Sequence, residues 1–398
     1  MNVLVSSSQH YVLTQDGELW VSNAAEGYKF WSRYLDVYDE VRLCIRAAYR
    51  PSPPVGWIRS CGEGVQPIPL PDFYGPAAFL KEYRRIRQIM RQALGTPMAI
   101  QLRIPCPIGN EIWKMLAQQR PYGIEVISDP YDVFSSGAIH HPLRSFFRWY
   151  FPTVLRKQCQ RACAAAYVTA TSLQRRYPPG LNTVETNYSD VELTDSAFLK
   201  APRKAKATLP IRLIMVGNLN QLYKAPDVLV EAMNICINQY ALPIELVMVG
   251  DGQYREPLKA QVDTYGLTEC VRFAGQLAAR ADVVAELDQA DLFILPSRTE
   301  GLPRAMIEAM ARALPCIGSA AGGIPELLSD DDLVPRGDAL ALANKIKEVV
   351  TDPERMTTMS ARNLTNAQNF HEGILRERRL AFYQHVRNET GAWLEDRA

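Results

Sequence analysis

The chain has 398 residues, 47 % of them hydrophobic and 22 % charged, a globular composition with length for two domains. Lys plus Arg is 44 and Asp plus Glu is 43, so no global basic field recruits nucleic acid. No apolar run approaches the roughly 20 residues of a membrane span, and most of the eight cysteines lie in apolar runs such as "VRLCIRAAY" and "LPCIGS", outside zinc or disulfide-scaffold spacing.

The N-terminal "MNVLVSSSQHYVLTQDGELW" lacks a basic leader, so a soluble, cytoplasmic protein is expected. Strands are predicted at "NVLVSS", "EVRLCIRAAY", "MAIQLRI" and "GIEVIS", helices near 76–93, 109–119 and 142–166, and a further strand at "AAYVTA". Pro51, Pro53, Pro54, Pro67, Pro69, Pro71 and Pro76 predict long loops among them. In "HPLRSFFRWYFPTVLRKQCQR" apolar residues fall at 143, 146, 147, 150, 151 and 154, with Arg144, Arg148, Arg156, Lys157 and Arg161 elsewhere. Such a helix either packs its apolar stripe on its own domain, which is the favoured reading, or makes weak peripheral contact with an anionic membrane through 142–161.

Next comes "FLKAPRKAKATLP", with four basic residues, two prolines and little that could pack, which reads as a linker. The expected organisation is an N-terminal Rossmann-like domain over 1–195, a linker over 196–210, a second Rossmann-like domain over 211–370, and a helix over 371–398 that crosses back to the first domain. In the second half, strands at 211–217, 244–250, 271–275, 291–297 and 314–319 alternate with helices at 226–239, 253–265, 281–289 and 303–313. This alternation predicts βαβ units and a parallel sheet, whose carboxyl-end loops hold a ligand. The fold class is α/β, two Rossmann-like domains facing a central cleft.

The loops carry the chemistry. In "IMVGNLNQLYKAPDVLVEAM" a strand ends at Gly217, and Lys224 stands just before a helix that opens at Pro226. Free N–H groups at a helix start favour an anion, so Lys224 is either a phosphate contact or a solvated loop lysine. In "VMVGDGQYREPL", Gly250 and Gly252 turn the backbone sharply, and Gly322 and Gly323 do so in "SAAGGIPELL". In "DLFILPSRTEGLPRAMIEAMARA" a strand leads to a loop with Glu300, Gly301 and Leu302, then to a helix from Pro303 that carries Glu308. Each carboxylate suits neutral hydroxyl donors better than a phosphate. A cap for Glu300 and a surface position for Glu308 are the plainer readings.

Taken together and in this order, "VGNLNQLYK", "MVGDG", "VRFAG", "LFILPSRTEGLPRAMIEAMA" and "GGIPELL" resemble the retaining glycosyltransferases of family four, the group 1 glycosyl transferases of GT-B fold. The resemblance spans residues 211 to about 335. It implies that Glu300 and Glu308 form the E-x(7)-E signature, with Glu300 on the donor sugar and Glu308 on the nucleotide ribose. It places Lys224 on the diphosphate and Gly217, Asn218, Gly250, Gly301 and Leu302 in the donor site. Most members carry arginine where this chain has Asn218; Arg304 is the candidate to supply that charge, and Arg298 a weaker one. In the first half, Ser128 stands where many members have histidine, and Asp129 is the candidate to face the donor sugar, with helix capping as the alternative. Asp16 and Gly17 occupy the usual acceptor-loop region, and His140 and His141 could return to the cleft.

The implied reaction moves a hexose from a nucleoside diphosphate sugar, of UDP or GDP type, to an acceptor hydroxyl with retention. The acceptor is a glycan, a lipid-linked or a small molecule, and neither a cofactor nor a metal is expected. A nucleotide-sugar 2-epimerase and a catalytically silent nucleotide-sugar-binding subunit are the rivals.

Overall fold

A computed structural model describes residues 1–22, 26–116, 120–134, 142–205, 209–277 and 279–397; His140 and His141 lie outside the described residues. The first sheet is built from β1 (Val3–Leu13), β2 (Leu19–Val21), β3 (Val41–Tyr49), β4 (Ile58–Arg59), β5 (Val65–Pro71), β6 (Ala99–Ile104), β7 (Gly123–Val126), β8 (Ala164–Tyr167) and β9 (Val184–Asn187). Its parallel strands run in the order β5-β3-β1-β6-β7-β8-β9, while β2 pairs antiparallel with the far end of β1 and β4 with β2. The second sheet comprises β10 (Ile211–Val216), β11 (Ile244–Val249), β12 (Val271–Gly275), β13 (Leu292–Leu295), β14 (Cys316–Ser319) and β15 (Leu333–Val334), in the order β12-β11-β10-β13-β14-β15. Both are doubly wound Rossmann-like sheets. In each the order reverses beside the first strand, between β1 and β6 and between β10 and β13.

The strands read as near-continuous apolar runs because both faces are covered. Val3, Val5, Leu43 and Ile45 enter one core layer, while Leu4, Cys44, Ile100 and Leu102 enter the other. That second layer is closed by Ile86 and Met90 of the helix Gly75–Leu94, by Ile108 and Ile112 of Pro107–Met115, and by Leu155 and Cys159 of Arg144–Arg161. The last helix, Glu372–Glu395, lies on β6 to β9, and buries Phe382, Tyr383 and Val386 there. Tyr383 stacks on Tyr34 with centroids 4.4 Å apart, and its carbonyl accepts from Tyr38 Oη at 2.9 Å.

Three expectations change. Pro67, Pro69 and Pro71 do not make a loop: they lie in β5, which among the described strands pairs with β3 alone. Residues two apart in a strand turn their N–H positions to the same side, so three alternate prolines can point their donorless nitrogens to the free edge. The segment read as a linker is docked. Arg203 donates to Arg312 O at 2.7 Å, Ala290 O at 2.8 Å and Leu287 O at 3.2 Å, and its own N–H bonds Ser360 Oγ at 2.8 Å. The helix Arg144–Arg161 continues through Pro152. It buries part of its stripe and leaves Phe146 50 % and Trp149 64 % exposed.

Candidate active site

The carboxyl ends of the two sheets face each other. Loops after β7, β8 and β9 meet loops after β12, β13, β14 and β15: Asp132 pairs with Arg336 at 3.0 Å, Ala170 N donates to Glu326 at 2.6 Å, and Glu192 O accepts from Arg280. At Gly301 an added Cβ would lie 2.4 Å from Ile127 O, so only glycine lets the β13 loop approach the first domain this closely.

The loops after β10 and β13 flank the second switch point and are sewn together. Arg298 N donates to Tyr223 O at 2.7 Å, and the Arg298 guanidinium holds both Asp227 oxygens at 2.7 Å each and Leu222 O at 3.0 Å. Arg298 is thereby a structural tie, and drops out as a spare phosphate ligand. Between these loops Lys224 Nζ donates to Glu300 Oε1, which also accepts from Ser297 Oγ at 2.8 Å. The Glu300 side chain is only 8 % exposed, so it lies beneath the cleft surface and not at its rim.

Glu308 stands on the second turn of the helix Arg304–Ala311 that follows this loop. Burial pushes its carboxyl up, and Arg280, whose Nη2 stands 3.6 Å away, and Arg304 pull it back only in part. Arg304 is exposed and begins that helix, whose N-terminus has no side-chain cap and no acid in its first turn. Its charge also reaches Asp190 across the cleft. Burial works against ionisation of Asp190, but Arg103, Arg33 and Arg304 together keep its carboxyl well below the usual range.

The neighbouring predicted residues have structural reasons for their identity. Gly250 has φ 138°, and a Cβ there would lie 1.8 Å from Gly217 O, so the β10 and β11 loops stack only with glycine. Asn218 closes a small turn, its Oδ1 accepting from Asn220 N at 2.6 Å, and contributes no charge. A Cβ on Gly217 would lie 3.1 Å from Lys224 Cγ, and Leu302 is buried, its Cδ1 2.8 Å from where a Cβ on Gly323 would lie.

The first domain departs from expectation. Asp129 caps the helix Pro130–Val133 through Tyr131 N at 2.9 Å and is held by Tyr177 Oη and Arg176; burial still raises its carboxyl. Those partners occupy both oxygens, so capping accounts for this residue. Asp16 and Gly17 form the turn between β1 and β2. β6 pairs with β1 only as far as Ser6; pairing with β3 is interrupted there and resumes from His10 to Leu13, so that turn stands well past the carboxyl end of β6. The group nearer that end is instead His10, bonded to Asp72 at 2.9 Å and stacked on Tyr74 at 3.9 Å and 11°, with Tyr74 70 % exposed. Burial and the nearby Arg46 lower the His10 pKa despite Asp72.

Sequence reading missed Glu326, Arg280, Arg336 and Asp190. Glu326 lay inside "GGIPELL", which was read for its glycines; the others belong to no local pattern. A cavity of about 370 Å³ lies elsewhere. It is lined by Arg203, Asp291, Pro315 and Met356, at the amino ends of β13 and β14, where such sheets do not place ligands.

Residues 199–365 match the family described as Glycosyl transferases group 1. Over 377 residues, 91 % of each chain, the sequence is 24 % identical to Protein CapJ of Staphylococcus aureus. Over 143 residues, 34 % of each chain, it is 36 % identical to the amylovoran biosynthesis glycosyltransferase AmsK of Erwinia amylovora. Among solved structures it is similar to Anabaena HepE in complex with UDP and glucose, with TM-score 0.63 and 16 % identity over 96 % of this chain and 98 % of that one. With the fold and the paired loops at the second switch point in agreement, residues 199–365 form a domain of the group 1 glycosyl transferase family, and the two-sheet architecture is that of the GT-B fold.

Proposed function

We propose that this glycosyltransferase moves a hexose from a nucleoside diphosphate sugar, UDP-linked sugars being the first choice, to a hydroxyl of a glycan, lipid-linked or small-molecule acceptor, with retention. The observation that carries this reading is the Lys224–Glu300 pair at the β10/β13 switch point, next to the uncapped start of the helix Arg304–Ala311. A lysine neutralised by a glutamate cannot alone balance a diphosphate. The open helix start and Arg304 supply further positive potential, and Glu300 Oε2 and Glu308 remain as acceptors for sugar and ribose hydroxyls. The UDP and glucose named with HepE and the amylovoran biosynthesis named with AmsK favour a UDP-sugar and a glycan.

In the reaction the bond from the anomeric carbon to the leaving phosphate breaks as the acceptor oxygen bonds the same face, and the acceptor proton passes to the departing phosphate oxygen. Lys224, Arg304 and helix amides stabilise the charge that develops there, without a metal. Bridges across the cleft come from the β7, β8 and β9 loops, and among the described residues the β5-β3-β1 side shows none. The acceptor enters on that side, over His10, Asp72 and the exposed Tyr74 ring, a polar and aromatic surface suited to a sugar face. Peripheral membrane contact through the exposed Phe146 and Trp149 is a subsidiary reading; failure to co-sediment with anionic vesicles at low salt removes it. Among the described residues no helix is long and apolar enough to cross a membrane.

Incubation with a panel of UDP- and GDP-sugars plus a mixed acceptor pool, with EDTA present, tests the main reading. Acceptor-dependent release of the nucleotide supports it. An epimerised donor, release only on adding a divalent ion, or binding without release each refutes it.

A further inference from the structure

The helix Ser172–Arg176 in the first domain has only five residues, and its N-cap, Thr171, makes no side-chain cap to it. Within the domain Leu173 N donates to Thr169 Oγ1 at 3.1 Å, but the first helical amide and the two before it are satisfied from the other domain. Glu326 accepts from Ala170 N at 2.6 Å, Thr171 N at 3.1 Å, Ser172 N at 2.6 Å and Thr171 Oγ1 at 3.2 Å. The partners are more than 150 residues apart in sequence, with |i−j| of 154 to 156. A half-buried carboxylate that takes three amides and a hydroxyl makes the strong, charge-assisted kind of hydrogen bond. Burial works against its ionisation, but these bonds outweigh it and leave its pKa lowered.

Glu326 is also coupled to the donor loop. It follows the Gly322–Gly323 turn, and Gly323 N donates to Gly301 O at 2.7 Å. A Cβ on Gly322 would lie 2.1 Å from Glu300 O, and one on Gly323 would lie 2.9 Å from Thr169 Cγ2 of the first domain. The turn is therefore wedged between the Glu300 backbone and the first domain, with no slack for independent movement. Arg336 adds a parallel tie: it pairs with Asp132 across the cleft at 3.0 Å and donates to Ala320 O at 2.7 Å and Arg298 O at 3.4 Å on its own side.

We propose that Glu326 is a positioning residue that latches the two domains closed and, through the Gly322–Gly323 turn, sets the position of the Glu300–Leu302 loop. When the cleft opens, the carboxylate and the three amides part and must rehydrate. Closure and the seating of the donor loop are then one event, and this holds whichever sugar or acceptor the enzyme uses.

The test compares wild-type protein, Glu326→Gln, and Glu326→Gln combined with Thr171→Asp, which gives the helix its own cap without restoring the bridge. Small-angle scattering reads closure, and amide hydrogen exchange reads residues 170–172 and 300–302. Wild-type scattering is expected to fit the closed arrangement. Glu326→Gln is expected to increase the radius of gyration and to speed exchange about tenfold in both segments. The double variant should leave 170–172 unprotected and the radius of gyration raised, because a cap at position 171 reaches only the second and third helical amides, those of Leu173 and Gln174. Wild-type scattering that fits only an open form overturns the latch, as does an unchanged radius of gyration in Glu326→Gln or a return to wild-type compactness in the double variant. Unchanged exchange at 300–302 in Glu326→Gln overturns the coupling to the donor loop. Neither readout depends on turnover, so an error in the substrate assignment leaves the test intact.

Discussion

The two sheets share one strand order about their switch points, yet they use those points differently. At β10/β13 the loops are short and polar, and they bring Lys224, Ser297 and Glu300 into direct contact beside a helix start. At β1/β6 the strand does not stop: its pairing with β3 is interrupted after Ser6 and resumes from His10 to Leu13, carrying His10 towards Asp72 and Tyr74. Deeper in the first domain, Arg103 is held by Glu125 and by Asp190 at 2.7 Å, and Arg33 reaches Asp190 at 2.9 Å, so charge there is spent on the interior. One topology thus offers two crevices. At β10/β13 Arg304 and an open helix start add positive potential beside the Lys224–Glu300 pair; at β1/β6 charge is paired internally and an exposed aromatic face is left.

The sharpest way to break that contrast is Lys224→Ala. It should lower turnover by about 10²–10³-fold, as loss of a single group that stabilises transition-state charge does elsewhere, with far-UV circular dichroism unchanged; wild-type turnover would move the phosphate site away from β10/β13. Glu308→Ala should weaken UDP binding about tenfold by calorimetry, the scale of a charge-assisted hydrogen bond. Its pH dependence has a definite sign. Burial raises the Glu308 pKa and the ionised form accepts from the ribose, so affinity should fall on acidification from a higher pH than an exposed glutamate would give. Glu308→Gln should flatten that limb of the profile.

Arg304→Ala should weaken UDP binding by about fivefold at low salt and less at high salt, because the residue is exposed and screened. An unchanged dissociation constant would leave Asn218 without a substitute. The smallest change belongs to the other crevice: Tyr74→Ala should raise the acceptor KM about threefold, the scale of one aromatic contact, and leave nucleotide release without acceptor unchanged. An effect on the donor KM instead would erase the division of labour between the two sheets.

The second domain's candidate site was the more legible because its residues lie in contiguous stretches: Gly217 to Lys224 is one loop, and Glu300 to Glu308 is one loop and one helix. The first domain was less so. Alternate prolines in "VQPIPLP" look like a loop until the strand is known to lie at an edge, and no local pattern says that β1 continues past Ser6. Asp129 was visible as a carboxylate at a turn, but its partners, Arg176 and Tyr177, lie 47 and 48 residues away. The bridging pairs were least legible. Glu326 with Ala170, and Arg336 with Asp132, are fixed by how two finished domains meet, which periodicity and spacing do not encode.

The helix Glu372–Glu395 has a practical corollary for anyone recombining such enzymes. The polypeptide leaves the first domain, completes the second and returns, and Phe382, Tyr383 and Val386 complete the core of the domain begun at Met1. The first domain is thus discontinuous. A chimera that exchanges donor domains by one cut in the 196–210 segment would pair the first sheet with a foreign closing helix; two cuts, the second near His371, keep Tyr34 and Tyr38 with the Tyr383 they evolved to meet.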